Sequence, residues 1–146
     1  MRITGEMGNL AAWEKRLFYM CSARPTLHPR ALFSDVTSDY RSPAEPVPGD
    51  EVTIRLRTGR YNVDKAYLVV DNVEHVMTRV RSESMFDYYE AKINVGTDKI
   101  YYYFKVELGR TVCYYNQIGA IKDLNPYYNF PVSYTHLRAH ETDQYL

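Results

Sequence analysis

Tyrosine is the residue type in this chain with the clearest capacity for binding chemistry. The sequence holds fifteen tyrosines, and they are concentrated in the second half, in the runs Tyr88–Tyr89, Tyr101–Tyr103 and Tyr114–Tyr115. A tyrosine has a broad apolar face and a hydrogen-bonding hydroxyl, so it can stack on a sugar ring or cover a half-buried β-sheet. The runs therefore admit two interpretations, a binding surface and a structural core.

Strand periodicity divides these rings into two sets. Successive side chains of a strand point to opposite faces, so we expect Tyr89, Tyr102, Phe104 and Phe86 to fill the core. The rings on the other register or at a strand end are candidates for contact with a ligand or a second subunit: Tyr88, Tyr101, Tyr103 and Tyr115. For each of these, a cross-strand aromatic pair with a purely structural role is the alternative.

Residues that normally carry catalysis or metals do not converge in this sequence. The aspartates are scattered among predicted turns without the spacing of a calcium loop, and Cys113 is expected to behave as a small buried hydrophobe. His136 and His140 stand four residues apart and could share a helix face, but with Glu141 they make a weak zinc site. The sequence therefore predicts no catalytic residue, no metal and no cofactor.

Composition excludes several classes of partner. Eighteen basic and eighteen acidic residues cancel, so no overall field would attract nucleic acid or an anionic membrane. No apolar run approaches the roughly 20 residues of a membrane-spanning helix, and the N-terminal apolar run is broken by Glu14, Lys15 and Arg16 where a signal peptide would be apolar. Cys21 and Cys113 lie far apart and do not indicate a disulfide framework. We therefore expect a reducing compartment, the cytoplasm, with no nucleic acid and no membrane as partner.

Strand patterns dominate the chain from residue 31 onward. Val52–Arg57 alternates strictly, with Val52, Ile54 and Leu56 on a buried face, and two-residue turns are expected at Asp71–Asn72 and Gly109–Arg110. The other predicted strands are Leu32–Phe33, Lys65–Val70, Val76–Val80, Phe86–Val95, Ile100–Glu107 and Thr111–Tyr115. About seven to eight short strands at this spacing predict an all-β fold, an immunoglobulin-like β-sandwich.

Residues 1–28 have a different pattern. Leu10, Trp13, Leu17 and Phe18 recur at helical spacing, and Pro25 would end the helix. Two interpretations remain open: a short, loosely attached helix, or a disordered leader or mis-called extension upstream of a true start at Met20 or later.

An ordered series of short motifs resembles a known family. The segments are Ala31–Asp35, Val52–Arg57, Asn62–Leu68, Phe86–Ala91, Tyr102–Phe104 and Tyr114–Asn116 followed by Gly119. Together they resemble the N-terminal domain of neopullulanases, cyclomaltodextrinases and maltogenic amylases, which belong to the alpha-amylase family. The resemblance covers about residues 29–131.

The resemblance implies a module that stands before a (β/α)₈ barrel hydrolysing α-glucosidic bonds, with α-glucan (starch, maltodextrin or cyclodextrin) as substrate of the parent enzyme. It also implies a homodimer, in which the module packs on the partner subunit's barrel and narrows its cleft. The polar connection that holds Asn72 and His75 would then shape substrate access, with a solvated hairpin turn as the alternative. No position matches the barrel's catalytic motifs, so no catalytic residue is carried over.

The C-terminal tail resembles something other than protein-coding sequence. Residues 132–142 look like a translated transposase-type sequencing adapter, and residues 143–146 like what followed it in the read. We therefore divide the chain into a leader (1–28), an immunoglobulin-like domain (29–131) and an artefact tail (132–146).

Three hypotheses of function follow. The first is an accessory domain of an α-glucan-hydrolysing enzyme, separated from its barrel and inactive alone. The second is a free-standing starch- or glycogen-binding module. The third is a purely structural dimerisation domain.

Overall fold

The computed structural model describes residues 11–23 and 26–132 of the chain. Those residues form one α-helix, α1 (Ala12–Ala23), ten strands, and two short 3-10 helices at Pro29–Ala31 and Pro126–Tyr128. The strands are β1 (Arg41–Ser42), β2 (Glu51–Gly59), β3 (Lys65–Val70), β4 (Val73–Val76), β5 (Thr78–Glu83), β6 (Phe86–Asn94), β7 (Ile100–Leu108), β8 (Thr111–Asn116), β9 (Gly119–Ile121) and β10 (Phe130–Val132).

The strands make two antiparallel sheets that share one core. Within the described residues the first sheet has the order β1-β2-β6-β5, and the second has the order β4-β3-β7-β8-β9, with β10 also paired to β7. One hydrophobic cluster draws buried side chains from both sheets. The predicted immunoglobulin-like β-sandwich is therefore confirmed.

Local sequence explains the most regular strand and its turns. Val52, Ile54 and Leu56 of β2 are all fully buried, as their alternation predicted. Asp71 and Asn72 close the β3–β4 hairpin with φ of 50° and 67°, the left-handed backbone that a two-residue primed turn requires. Gly109 has φ of 59° in the β7–β8 hairpin. Both predicted turns are confirmed.

The chain changes sheets where a single strand was predicted. Val76 ends β4 in the second sheet, and Thr78 begins β5 in the first. Met77 between them is 4% exposed, and its amide donates to the carbonyl of Ala66 at 2.9 Å. The expectation of one strand over Val76–Val80 was wrong, because burial of Met77 directs the chain across the open side of the sandwich.

The predicted strand Leu32–Phe33 is also wrong. Phe33 makes only an isolated bridge to Arg57, directly after the first 3-10 helix. Leu32 is nevertheless buried in the core, so the apolar pair was correctly identified as an anchor of the fold.

Aromatic rings fill the centre of the second sheet's inner face. Tyr102 and Phe104 are fully buried, as predicted. Phe130, from the unpredicted strand β10, has its ring centroid 5.3 Å from that of Tyr102, 6.0 Å from Phe104 and 6.2 Å from Tyr115. Such pairs stabilise a core beyond the area they bury.

A buried arginine fixes the last described strand. Arg41 is 7% exposed, and its Nη1 donates to the hydroxyl of Tyr102 at 3.3 Å and to the carbonyl of Pro131 at 2.9 Å. Its Nε donates to the carbonyl of Ala44 at 3.1 Å. These bonds satisfy a charge that would otherwise be costly to bury, and they join β1, β7 and β10.

The folded region extends at least one residue into the segment assigned to the tail. Val132 pairs with Ile100 and is fully buried, so it belongs to the sandwich. His136, His140 and Glu141 lie outside the described residues, as does Leu10.

Candidate functional site

The outer face of the second sheet carries an aromatic surface outside the core. Tyr67, Tyr103, Lys105 and Tyr114 lie on it together, because Lys105 pairs with both Tyr67 and Tyr114 across neighbouring strands. Their side chains are half-buried. We call these four residues the tyrosine face.

Ring and charge contacts hold the tyrosine face in place. The rings of Tyr103 and Tyr114 meet edge to face with centroids 5.9 Å apart. The ammonium of Lys105 lies 4.7 Å from the centroid of the Tyr67 ring, a distance at which a cation is attracted to the ring face. Lys105 also bonds to Glu74 of the edge strand β4, and its Nζ lies 3.6 Å from Glu107.

These contacts shift the pKa values of Lys105 and Tyr103. The hydrogen bond to Glu74 raises the pKa of Lys105, against a smaller lowering by burial. Burial raises the pKa of Tyr103, and the neighbouring Tyr114 and Glu74 raise it further. At neutral pH the face therefore presents the neutral Tyr103 hydroxyl and the Lys105 cation.

The outer face of the first sheet has a different character, because arginines cover its rings. The guanidinium of Arg57 lies 4.1 Å from the centroid of Phe86 and 5.3 Å from that of Phe33. Arg81 lies 4.3 Å from the ring of Tyr88. The expectation that Phe86 fills the core was wrong: it shares the outward register of Tyr88 and stacks under Arg57 instead.

The structure separates the tyrosines proposed as contact residues. Tyr103 lies on the tyrosine face, and Tyr101, 46% exposed, lies on the same strand with the Lys99 ammonium 5.4 Å from its ring. Tyr88 is half-buried on the opposite sheet beneath Arg81. These three rings keep accessible surface but do not form one site.

Tyr115 does not lie on either outer face. It is 9% exposed, belongs to the core cluster, and packs against Phe130. Burial raises the pKa of its hydroxyl, with a smaller lowering by the backbone of Ser34. The expectation that Tyr115 is available to a ligand is therefore corrected, since its ring is already occupied by core contacts.

Asn72 and His75 lie on the β3–β4 hairpin, apart from the tyrosine face's rings. Asn72 is exposed in the turn. His75 is half-buried and lines a cleft of about 470 Å³ with Glu90 and Lys92, where the chain passes from β4 to β5. The two residues therefore belong to the same hairpin, but of the two only His75 lines the cleft.

Sequence reasoning missed Tyr67 and Tyr114 as members of an outer face. The signal was present for Tyr114: Cys113 was expected to be buried, and alternation then turns Tyr114 outward and Tyr115 inward. Cys113 is indeed a buried free thiol, and burial raises its pKa. A raised thiol pKa disfavours the thiolate, the nucleophilic form.

The buried carboxylate of this domain has structural partners. Asp87 is 2% exposed, and it accepts hydrogen bonds from the Ser82 hydroxyl and, at 3.2 Å, from the backbone amide of Tyr61.

Among the described residues no group of three or more His, Cys, Asp or Glu side chains could hold a metal ion. None of the helices in the part of the chain that the structure describes is long and apolar enough to cross a membrane.

The fold and its aromatic outer face define an immunoglobulin-like β-sandwich module. Residues 40–136 match the family model described as the alpha amylase, N-terminal ig-like domain. The match covers more than half of the chain, and the chain belongs to this family.

Solved structures agree on the fold. A cyclomaltodextrinase superposes with a TM-score of 0.60 at 17% identity, over 72% of this chain. A maltogenic amylase from S. marinus superposes with a TM-score of 0.59 at 14% identity, over 75% of this chain. This chain spans only 19% and 14% of those two proteins. A search of curated proteins gave no match.

Proposed function

We propose that this chain is the N-terminal accessory domain of a longer enzyme that hydrolyses α-glucans such as starch, maltodextrin or cyclodextrin. Family membership supports the proposal. The names of the two structural relatives, a cyclomaltodextrinase and a maltogenic amylase, point to glucan chemistry in the parent protein, and both relatives are several times longer than this chain. In this proposal the catalytic barrel lies in the remainder of the parent protein, which acts in the cytoplasm.

The tyrosine face is the observation that carries the proposed role. Tyr67, Tyr103 and Tyr114 are only partly buried, and Lys105 on the same face bonds to Glu74. Such a surface suits contact with the barrel of a partner subunit, where it would contribute to dimerisation and narrow the substrate cleft. Tyr101, next along β7 on the same register, extends the proposed contact, and Asn72 and His75 on the hairpin remain candidates for shaping access to the cleft.

An accessory role implies weak glucan binding by the chain alone. Three half-buried rings offer little surface with which to offset the loss of translational and rotational freedom on association. We expect the isolated chain to bind maltoheptaose with a Kd on the order of 1 mM or weaker and to release no reducing sugar from starch.

Nuclear magnetic resonance titration with maltoheptaose tests this role against a free-standing binding module. The Tyr103→Ala variant is compared with a Tyr127→Ala control, since Tyr127 lies on the 3-10 helix and is 84% exposed. Saturable shifts on the tyrosine face at micromolar glucan, lost in Tyr103→Ala and kept in the control, would favour the free-standing module. Release of reducing sugar by the purified chain would contradict the proposal outright.

A further inference from the structure

Residues 11–23 and 26–28 contact one end of the sandwich rather than standing apart from it. Phe18 of α1 is 4% exposed, and its ring meets Tyr61 edge to face with centroids 5.2 Å apart. Leu27 is 7% exposed and belongs to the hydrophobic core. Phe18 and Leu27 therefore lose most of their contact with water.

Asn62 holds the backbone of this segment on either side of Leu27. Its Nδ2 donates to the carbonyl of Thr26 at 2.7 Å, and its Oδ1 accepts from the amide of His28 at 2.7 Å. Asn62 itself is 2% exposed. A buried amide that uses both its donor and its acceptor on one short stretch of backbone, with a buried leucine between, is an arrangement that suits recognition of an extended peptide.

An ion pair fixes the helical part of the segment. Glu14 Oε2 lies 2.6 Å from Arg60 Nη2, and the two side chains are only 18% and 11% exposed. The Arg60 guanidinium also lies 5.7 Å from the Trp13 ring and 5.4 Å from the Tyr61 ring. A charge pair so shielded from water is screened less by salt than a surface pair.

The turn that receives the segment is preorganised. Tyr61 adopts φ of 57°, a conformation that a bulky residue adopts only when its surroundings enforce it. The amide of Tyr61 donates to the Asp87 carboxylate at 3.2 Å, and the amide of Arg60 donates to the Met85 carbonyl at 2.9 Å. The β5–β6 hairpin thus holds Arg60, Tyr61 and Asn62 in position for the segment.

We propose that residues 11–23 and 26–28 form a strap that the sandwich binds as an intramolecular peptide ligand, at a site formed by Arg60, Tyr61 and Asn62. In this proposal Leu27 supplies the buried apolar contact, and Asn62 supplies hydrogen bonds to the strap backbone. The ion pair between Glu14 and Arg60 makes the site selective for this segment. The strap residues precede residues 40–136, which match the family model, whereas Arg60, Tyr61 and Asn62 lie within that match. The inference does not depend on the proposed role in a glucan-acting enzyme.

Trp13 provides a direct readout in the full chain. It is the single tryptophan of the sequence and is 45% exposed when the strap is docked. Release of the strap would expose it fully, so we expect acrylamide quenching of its fluorescence to rise about twofold on undocking, as for a locally unfolded segment. We expect this rise in Glu14→Arg and in Arg60→Glu.

The double variant Glu14→Arg/Arg60→Glu tests whether the pair itself is responsible. Reversing both charges restores opposite signs, so quenching is expected to return toward the wild-type value. Glu83→Arg is the matched control, because Glu83 pairs with Arg81 at 3.8 Å on an exposed edge strand; it should leave quenching unchanged.

Two further variants keep the test decisive. Glu14→Gln keeps an oxygen that can accept from the Ala11 amide, which donates to Glu14 Oε1 at 3.1 Å. A rise in quenching in this variant would therefore result from loss of the charge and not from loss of the hydrogen bond at the start of the helix. Asn62→Ala should speed proteolytic cleavage at residues 26–28, while the resonances of Tyr102 and Phe104 keep the chemical shifts of the folded core. Wild-type quenching already at the level of free tryptophan would overturn the proposal, as would unchanged quenching in Glu14→Arg.

Discussion

Phe130 shows most clearly how a single residue organises this domain. It begins the three-residue strand β10, yet its ring contacts Tyr102, Phe104 and Tyr115 together. Neither the spacing nor the length of this stretch predicted a strand. Its place in the core depends on a long-range contact with β7, and local periodicity cannot report such a contact.

Replacement of Phe130 by alanine should therefore be costly. We expect Phe130→Ala to lower the free energy of unfolding by about 3–5 kcal/mol, because it removes a large buried ring and leaves a cavity among three others. Urea unfolding followed by tyrosine fluorescence measures the change. The control Tyr127→Ala, in a ring 84% exposed, should change it by no more than about 0.5 kcal/mol; equal losses in the two variants would contradict this description of the core.

The burial of individual side chains was predicted correctly where apolar and polar residues alternate strictly. It was predicted wrongly for Tyr115 and Phe86, where the strand register was not followed from the neighbouring residues. Val52, Ile54 and Leu56 were placed correctly because each step of β2 obeys the same rule. Tyr115 was misplaced although Cys113, two residues earlier, was correctly expected to be buried. Phe86 was misplaced because it stands three residues from Tyr89 on β6 and therefore has the outward register of Tyr88, where the Arg57 guanidinium covers it.

At the scale of elements, strands β7 and β8 combine the core and the tyrosine face in one hairpin. Their inward residues Tyr102, Phe104 and Tyr115 are buried, while Tyr103 and Tyr114 pair on the outside. The division of Val76–Val80 between two sheets could not be read from the sequence, because either one strand or two satisfy the same apolar pattern. Contact between Met77 and Ala66 decides the outcome.

The β7–β8 hairpin should make stability sensitive to alkaline pH. Burial raises the pKa values of Tyr102, Tyr103, Cys113 and Tyr115, and a carboxylate hydrogen bond raises that of Lys105. Between the ordinary and the raised pKa, the unfolded chain has lost a proton that the folded chain keeps, so stability falls as pH rises. The ordinary values are about 8.5 for cysteine and about 10 for tyrosine and lysine.

We therefore expect the free energy of unfolding contributed by these groups to be fully present below about pH 8 and to decline above about pH 9. Urea titrations across this range measure it. Tyr102→Phe removes the most deeply buried of the titrating hydroxyls and should make the decline shallower, whereas Tyr127→Phe should leave it unchanged. A stability that rises between about pH 9 and about pH 11 would show that the sign is wrong.

At the scale of the whole molecule, the domain is a sandwich with a strap on one end and an aromatic surface on one side. The strap docks at Arg60–Asn62, and the tyrosine face lies on the second sheet. The sequence pattern predicted the fold class and the family resemblance, both of which are confirmed. It did not predict that Leu27 packs into the core, because Leu27 stands as a single apolar residue between Thr26 and His28.

The central claim, that this chain is an accessory domain of a longer α-glucan-acting enzyme, is tested most directly by a single long sequencing read across its locus. If the proposal is right, the authentic reading frame continues beyond the codons of β10 for several hundred codons into a (β/α)₈ barrel. That barrel should carry the paired carboxylates that a retaining glycosidase needs, held about 5 Å apart. An authentic stop codon shortly after Val132 would contradict the account and favour a free-standing module.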